Sequence, residues 1–186
     1  TDNQCPQGIC ITEDYYMITA YNTDDSESLG ALYIFDKETG EYMVTLGMKK
    51  NSHLGGLTYD GRNVWICHSD TRSLERLSYS YIKKIAESKP KIFVDATGMF
   101  EEYRVANMPS CITWHDGILW VATHNALFKS IMISYKYQDG KLMEQQRYQI
   151  PEKVQGIAFD EQDRVYLSTS YGRSNSSYLK IYQNVD

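Results

Sequence analysis

Along most of the chain, apolar and polar residues alternate in short runs, and turn-forming residues cut the runs at close intervals. Alternation with period two marks half-buried strands, whereas an amphipathic helix would show the longer helical period. Four runs dominated by apolar residues, 15–21, 64–69, 118–124 and 165–170, read as strands covered on both faces. A polar turn precedes each of them: Thr12-Glu13-Asp14, Asp60-Gly61-Arg62-Asn63, His115-Asp116-Gly117 and Asp160-Glu161-Gln162-Asp163. Asp-Gly and similar pairs supply the positive φ that tight hairpins need. One segment breaks the strand pattern. Residues 79–88 carry helix formers and stop before Pro90, which predicts a short helix.

Ahead of each turn lies another short strand, and the four copies align without gaps. They are Pro6-Gln7-Gly8-Ile9-Cys10-Ile11, Leu54-Gly55-Gly56-Leu57-Thr58-Tyr59, Pro109-Ser110-Cys111-Ile112-Thr113-Trp114 and Val154-Gln155-Gly156-Ile157-Ala158-Phe159. The steps from Gly8 to Gly56, to Cys111 and to Gly156 are 48, 55 and 45 residues, near the ~40–50 of one propeller blade. The outer halves are legible too. Segments 31–36 and 41–47 flank the turn Lys37-Glu38-Thr39-Gly40, and segments 131–137 and 142–150 flank Gln138-Asp139-Gly140-Lys141. A full unit is therefore four antiparallel strands joined by hairpins, which is one blade. The expected fold is an all-β propeller with four recognisable blades in one domain, at about 6–53, 54–108, 109–153 and 154–186, with the helix inserted in the second.

Two details of this alignment are testable by structure. Trp65, Trp120, Met17 and Tyr166 occupy matching positions in the four second strands, so all are expected between blades. The fourth copy offers only a third strand, at 177–183, beyond its inner pair. That edge is expected to pair with another chain, or with further sequence of a larger ring.

The repeat also directs attention to one face. In an up-and-down blade, the residues before the innermost strand and after the second strand reach the same end of the central channel. The ligand-binding candidates on this face are Gln7, Asn22, His53, His68, Asp70, Arg72, Ser110, His124, Asn125, Gln155, Tyr171 and Arg173. Arg holds carboxylate or phosphate through paired hydrogen bonds, and a protonated histidine donates as well, so a small polar, anionic ligand is expected. Asp24, Asp25 and Asp70 favour the opposite, by neutralising the arginines or drawing a cation. A structural reading stands beside the functional one. Glycine belongs where backbones crowd, Gln and Ser satisfy backbone groups, and His68 and His124 cap strand ends.

Composition narrows the function classes. A net charge of −5 without a basic stripe argues against nucleic acid, and no apolar run is long enough for a membrane helix. Cys5, Cys10, Cys67 and Cys111 show no metal-type spacing and read as small hydrophobes, with a disulfide or a reactive thiol as the alternatives. Asn175-Ser176-Ser177 fits a glycosylation sequon. There is no Gly-x-Ser-x-Gly elbow, phosphate loop or dinucleotide fingerprint, and no cofactor is implied. Cys111 beside His124 or His68 is the one nucleophilic pair to consider, and the metal question stays open. Two functions remain. One is a non-enzymatic binding or scaffold propeller for a small polar ligand or a protein partner, as a module of a secreted or surface protein. The other is a hydrolase or lyase acting on a small polar or anionic substrate at the channel mouth.

The segments Val154-Gln155-Gly156-Ile157-Ala158-Phe159-Asp160 and Arg164-Val165-Tyr166-Leu167-Ser168 resemble the inner strands of a broad group. It comprises the NHL, streptogramin lyase-like and gluconolactonase-like (SMP-30) propellers. Cys5-Pro6-Gln7-Gly8 with Ser52-His53-Leu54-Gly55-Gly56 is similar to bacterial extracytoplasmic propeller proteins. The resemblance implies the fold and an extracytoplasmic or secreted location. It does not carry the gluconolactonase-like activity, because those enzymes place a metal-binding glutamate where this chain has Gln7 and Gln155.

Overall fold

The computed structural model describes residues 3–24, 28–50, 53–88, 91–172 and 174–185, with the backbone alone at Lys50. The first sheet runs β1 (Gln4–Ile11), β2 (Tyr15–Asn22), β3 (Leu29–Asp36) and β4 (Tyr42–Lys50), each antiparallel to the one before. The chain continues through β5 (Leu57–Tyr59), β6 (Asn63–His68), β7 (Ser73–Ser78), the helix α1 (Tyr79–Ser88), β8 (Phe93–Asp95) and β9 (Glu101–Arg104). Strands β5, β6, β7 and β9 make the second sheet, while β8 crosses back and pairs in parallel with β4. The third sheet is β10 (Cys111–His115), β11 (Ile118–Ala122), β12 (Ser130–Gln138) and β13 (Lys141–Ile150). The fourth is β14 (Val154–Phe159), β15 (Val165–Thr169) and β16 (Tyr178–Tyr182). The fold is thus all-β, with four blades, and the helix occupies the residues expected from sequence.

Turn chemistry fixes the hairpins. Asp116-Gly117 and Asp139-Gly140 both have positive φ at both residues (46° and 79°, 52° and 75°), the backbone of a tight hairpin that matches strand twist. At two other turns an aspartate does the work. Asp60 accepts from the N–H groups of Arg62 and Asn63 and from the Trp65 indole at 2.6 Å. Asp160, at the matching place one hundred residues on, accepts from the N–H groups of Gln162 and Arg164 and from Tyr166 Oη at 2.9 Å.

Innermost strands β1, β5, β10 and β14 stand side by side in that order around the axis. Three apolar seams join successive sheets. Met17, Leu32, Ile34, Val44 and Leu46 meet Leu57, Val64, Ile66 and Leu77 in the first, which α1 extends with Tyr79, Ile82, Ile85 and Ala86. Trp65, Cys67 and Leu74 meet Ile112, Leu119, Val121 and Ile133 in the second. Cys111, Ala122 and Met132 meet Val154, Ile157, Val165 and Leu167 in the third. Among the described residues no buried cluster joins the fourth sheet to the first. The faces at either end remain open instead, with Ile9 and Ile11 of β1 64% and 56% exposed and Leu179 and Ile181 of β16 62% and 54%.

This arrangement sorts the four matched side chains. Trp65 and Met17 are fully buried, while Trp120 and Tyr166 are half-buried. Trp120 faces the narrower, three-stranded sheet, packing on Phe159 and Tyr148. Tyr166 pairs in register with Ile181 and shares its open face.

Candidate functional site

Near the axis three of the inner strands meet at backbone distance. A Cβ on Gly8 would lie 2.9 Å from Gly56 Cα, a Cβ on Gly56 2.9 Å from Cys111 Cα, and one on Gly55 would collide with the Ser110 carbonyl. These glycines let β1, β5 and β10 approach to backbone contact. Side chains stitch the same region. Thr19 Oγ1 donates to Leu54 O at 2.8 Å, and Ser69 Oγ donates to Pro109 O at 2.6 Å. Both tie one sheet to the next.

The mouth residues divide between these structural duties and open surface. Gln7 is turned onto Cys5 Sγ and the Pro6 carbonyl. Asn22 Oδ1 accepts the Asp24 N–H, and His53 packs on Tyr21 with ring centroids 4.6 Å apart. His68 is buried, with Nδ1 3.1 Å from Thr71 Oγ1. His124 Nδ1 lies 3.1 Å from the Val154 carbonyl and must donate to it, which links the third sheet to the fourth. Ser110 contributes its backbone N–H to Ala122 O. Asp70, Gln155 and Tyr171 are exposed, Tyr171 beneath the Lys153 ammonium. Arg173, Asp25 and Ser52 lie outside the described residues.

Two of the candidates, Arg72 and Asn125, border one pocket of about 220 Å³ between the second and third sheets. Its other cations, Lys129 and Arg147, sit at the start of β12 and on β13, in the outer part of a blade where the repeat alignment does not point to a mouth.

Two of the buried titratable groups are thiols. Cys111 is buried and its thiol is pushed up to about 12 by desolvation. Cys67, also buried, is raised well above the usual thiol range for the same reason. All four cysteines are free. Raised in this way, the Cys67 and Cys111 thiols lack the thiolate character that nucleophilic attack requires. On the opposite face His115 stacks on Phe159, centroids 4.5 Å apart, and its Nε2 lies 2.6 Å from Asp163 Oδ1. Among the described residues no three His, Cys, Asp or Glu side chains converge as a metal site, and no helix is long and apolar enough to cross a membrane.

No family model matches the chain, and no curated protein matches it. Solved structures do. The chain is similar to hydrazine synthase of Kuenenia stuttgartiensis (TM-score 0.61, 11% identity, 97% of this chain and 46% of that one). It is also similar to glutaminyl cyclase of Myxococcus xanthus (0.58, 13%, 89% and 61%) and to a chain of a nidogen/laminin complex (0.56, 11%, 90% and 57%). The fold they share with it is the β-propeller. At these identities the likeness concerns the propeller fold alone, and the propeller described spans about half the length of the chains it matches.

Proposed function

We propose that this propeller is a non-enzymatic binding or scaffold module whose fourth sheet docks a protein partner by strand addition. The observation that carries the reading is the edge of that sheet. Among the described residues strand β16 is hydrogen-bonded to β15 on one side only, and Tyr178, Leu179, Ile181 and Tyr182 are all exposed. An edge of this kind is a template for another strand. Beside the end of this strand, between the third and fourth sheets, lies a groove of about 330 Å³. Tyr148 and Ile150 of β13, Val165 and Leu167 of β15, and Tyr182 and Val185 line it.

The occupant that fits is an extended segment with apolar residues on both faces. By the alternation of the ladder, Tyr178 and Tyr182 share the face of Leu167, which belongs to the third seam, and Leu179 and Ile181 share the opposite face. An added strand would send one set of side chains into the groove and extend the Leu179 and Ile181 surface with the other. That one of the similar solved chains comes from a nidogen/laminin complex is in keeping with a propeller that binds protein. We place the module in a secreted or surface protein, a placement supported by the family resemblance. Cell fractionation that found the native protein only in the cytoplasm would remove it.

Synthetic peptides copying β13 (Lys141–Ile150) and β4 (Tyr42–Lys50), strands that hold the fourth position in their own sheets, are suitable probes. Titrated into the ¹⁵N-labelled protein, at least one should shift amide signals of residues 178–182 and of the groove, and Ile181→Lys should abolish the effect. Shifts confined to other sheets, or none with either peptide at millimolar concentration, overturn the reading.

A further inference from the structure

We infer that the pocket between the second and third sheets is a binding site for a small organic anion, with a carboxylate or phosphate head and a short apolar body. This inference rests on a different pocket from the strand-addition reading, with Arg147 alone bordering both, and stands or falls without it. The pocket opens where β6 and β11 end. Its wall is the link between β9 and β10 (Ala106, Asn107, Met108), and its floor is Ile131 and Ile133 of β12. A volume of about 220 Å³ lies below the size of a drug-like site and suits a small metabolite.

The cations supply the head group's partners. Arg72 borders the pocket and has no side-chain partner among the described residues. Its backbone is held in the left-handed region at φ 50°, with its N–H donating to Ser69 O and its carbonyl accepting from Val105 N–H at 3.0 Å. Few non-glycine residues adopt this conformation, and the two backbone bonds fix where the guanidinium starts. Among the described residues Lys129 Nζ bonds a neutral group, Gln149 Oε1 at 3.2 Å, and no carboxylate, so its charge is uncompensated there. Arg147 is already held by Glu144 through two bonds, of 2.5 and 2.9 Å, and contributes less. Asp70, exposed two residues before Arg72, is the other nearby carboxylate in sequence. Two cations without acidic partners among the described residues, both bordering this pocket in a chain of net charge −5, form a local positive potential that an oxyanion relieves.

The neutral part of the pocket is preorganised. Asn107 is buried, donates to Val121 O at 3.1 Å and accepts from Tyr135 Oη at 3.1 Å, while Tyr135 Oη accepts the Ala106 N–H at 2.9 Å. Thr123 Oγ1 donates to Met108 O at 2.8 Å. Asn125 Oδ1 accepts the N–H groups of Leu127 and Phe128, which leaves its Nδ2 to donate. A wall fixed in this way loses little freedom on binding. Met108, Ile131 and Ile133 then offer the apolar contact for the ligand's body.

The test is a titration of the labelled protein at low salt with butyrate, n-butyl phosphate, inorganic phosphate and n-butylamine, read by side-chain and methyl NMR. At least one of the two butyl anions should shift Arg72 Nε–H, Asn125 Nδ2 and the Ile131 and Ile133 methyls, and n-butylamine should shift none of them. Arg72→Gln should weaken anion binding roughly tenfold or more, the usual scale for one charge-assisted hydrogen bond. Glu144→Gln, which frees Arg147, should tighten it. Binding unchanged in Arg72→Gln with the rest of the spectrum intact, weaker binding in Glu144→Gln, or amine binding equal to anion binding overturns the assignment. Inorganic phosphate binding as tightly as n-butyl phosphate would remove the apolar body from it.

Discussion

Replacing Glu75 by Gln should erase a pH-dependent loss of stability built into the second sheet. Glu75 lies in the middle of β7, 1% exposed, and its Oε2 has no hydrogen-bond partner among the described residues. Directly across the ladder stands Glu102 of β9, and like charges facing one another on adjacent strands are unfavourable. Lys49 Nζ binds Glu102 at 3.0 Å, and this bond holds the Glu102 carboxyl below its ordinary range. Glu75 goes the other way. Burial raises its pKa, Lys49 opposes that weakly, Glu102 adds to it, and the result is about 7 against 4.5 for a free side chain. Below pH 4.5 the group is protonated folded or unfolded and contributes nothing. Between 4.5 and about 7 only the unfolded chain ionises, so stability falls as pH rises, and above about 7 the loss is complete. That interval corresponds to about 3 kcal/mol. Urea unfolding of wild type and Glu75→Gln at several values from about pH 4.5 to about pH 8 isolates it. Their difference should move in favour of the variant by about 3 kcal/mol across this range. The buried amide has a cost of its own, so the slope and not the absolute value decides. Identical slopes for the two proteins would refute the burial of an ionisable Glu75.

Trp65→Ala should cost about 3–5 kcal/mol in chemical denaturation, and Trp120→Ala clearly less, because Trp120 is half-buried; equal losses would contradict the seam assignments. Gly56→Ala should cost about 1–3 kcal/mol, since its Cβ meets the backbone of Cys111 and Ile112 at 2.9 Å, while Gly98→Ala, with open space around it, serves as a near-neutral control. For Asp160, desolvation raises the carboxyl pKa, but hydrogen bonds from Arg164, Tyr166 and Gln162 outweigh this and lower it to about 2. Its contribution is complete above the free value of 3.8 and is lost as pH falls through about 2, so Asp160→Asn should flatten the acid side of a stability profile.

The inner half of every blade was legible because two local signals coincide there: alternating apolar residues and a turn whose aspartate or glycine can do only one thing. The helix was legible through its formers and Pro90. The outer part of the second blade was not. Ser73–Ser78 and Glu101–Arg104 are short, carry charges, and are separated by α1 and by a strand that pairs with the first sheet. No period-two reading foresees that crossover. At the candidate site, strand alternation held information that the repeat alignment missed. Val64, Ile66 and His68 share one face of β6, the one that meets the first sheet, so His68 turns into a seam and not toward the mouth. Lys129 and Arg147 gave no signal, since a cation at the start of an outer strand or on its face looks like solvated surface until the neighbouring blade is placed.

Because the buried clusters among the described residues join each sheet only to its sequence neighbours, the molecule behaves as an array in series, and its stability is close to a sum over three seams. Two of those seams contain a fully buried thiol. Cys67 lies between the second and third sheets and Cys111 between the third and fourth, both buried. A buried thiol reacts only when its surroundings open, so each reports on a different opening event. The fourth sheet, narrow and held from one side, should detach while the rest of the array stays folded. In a variant with Cys5 and Cys10 changed to Ser, Cys111 should then be alkylated under native conditions well before Cys67. Equal rates would mean that the four sheets open as one unit.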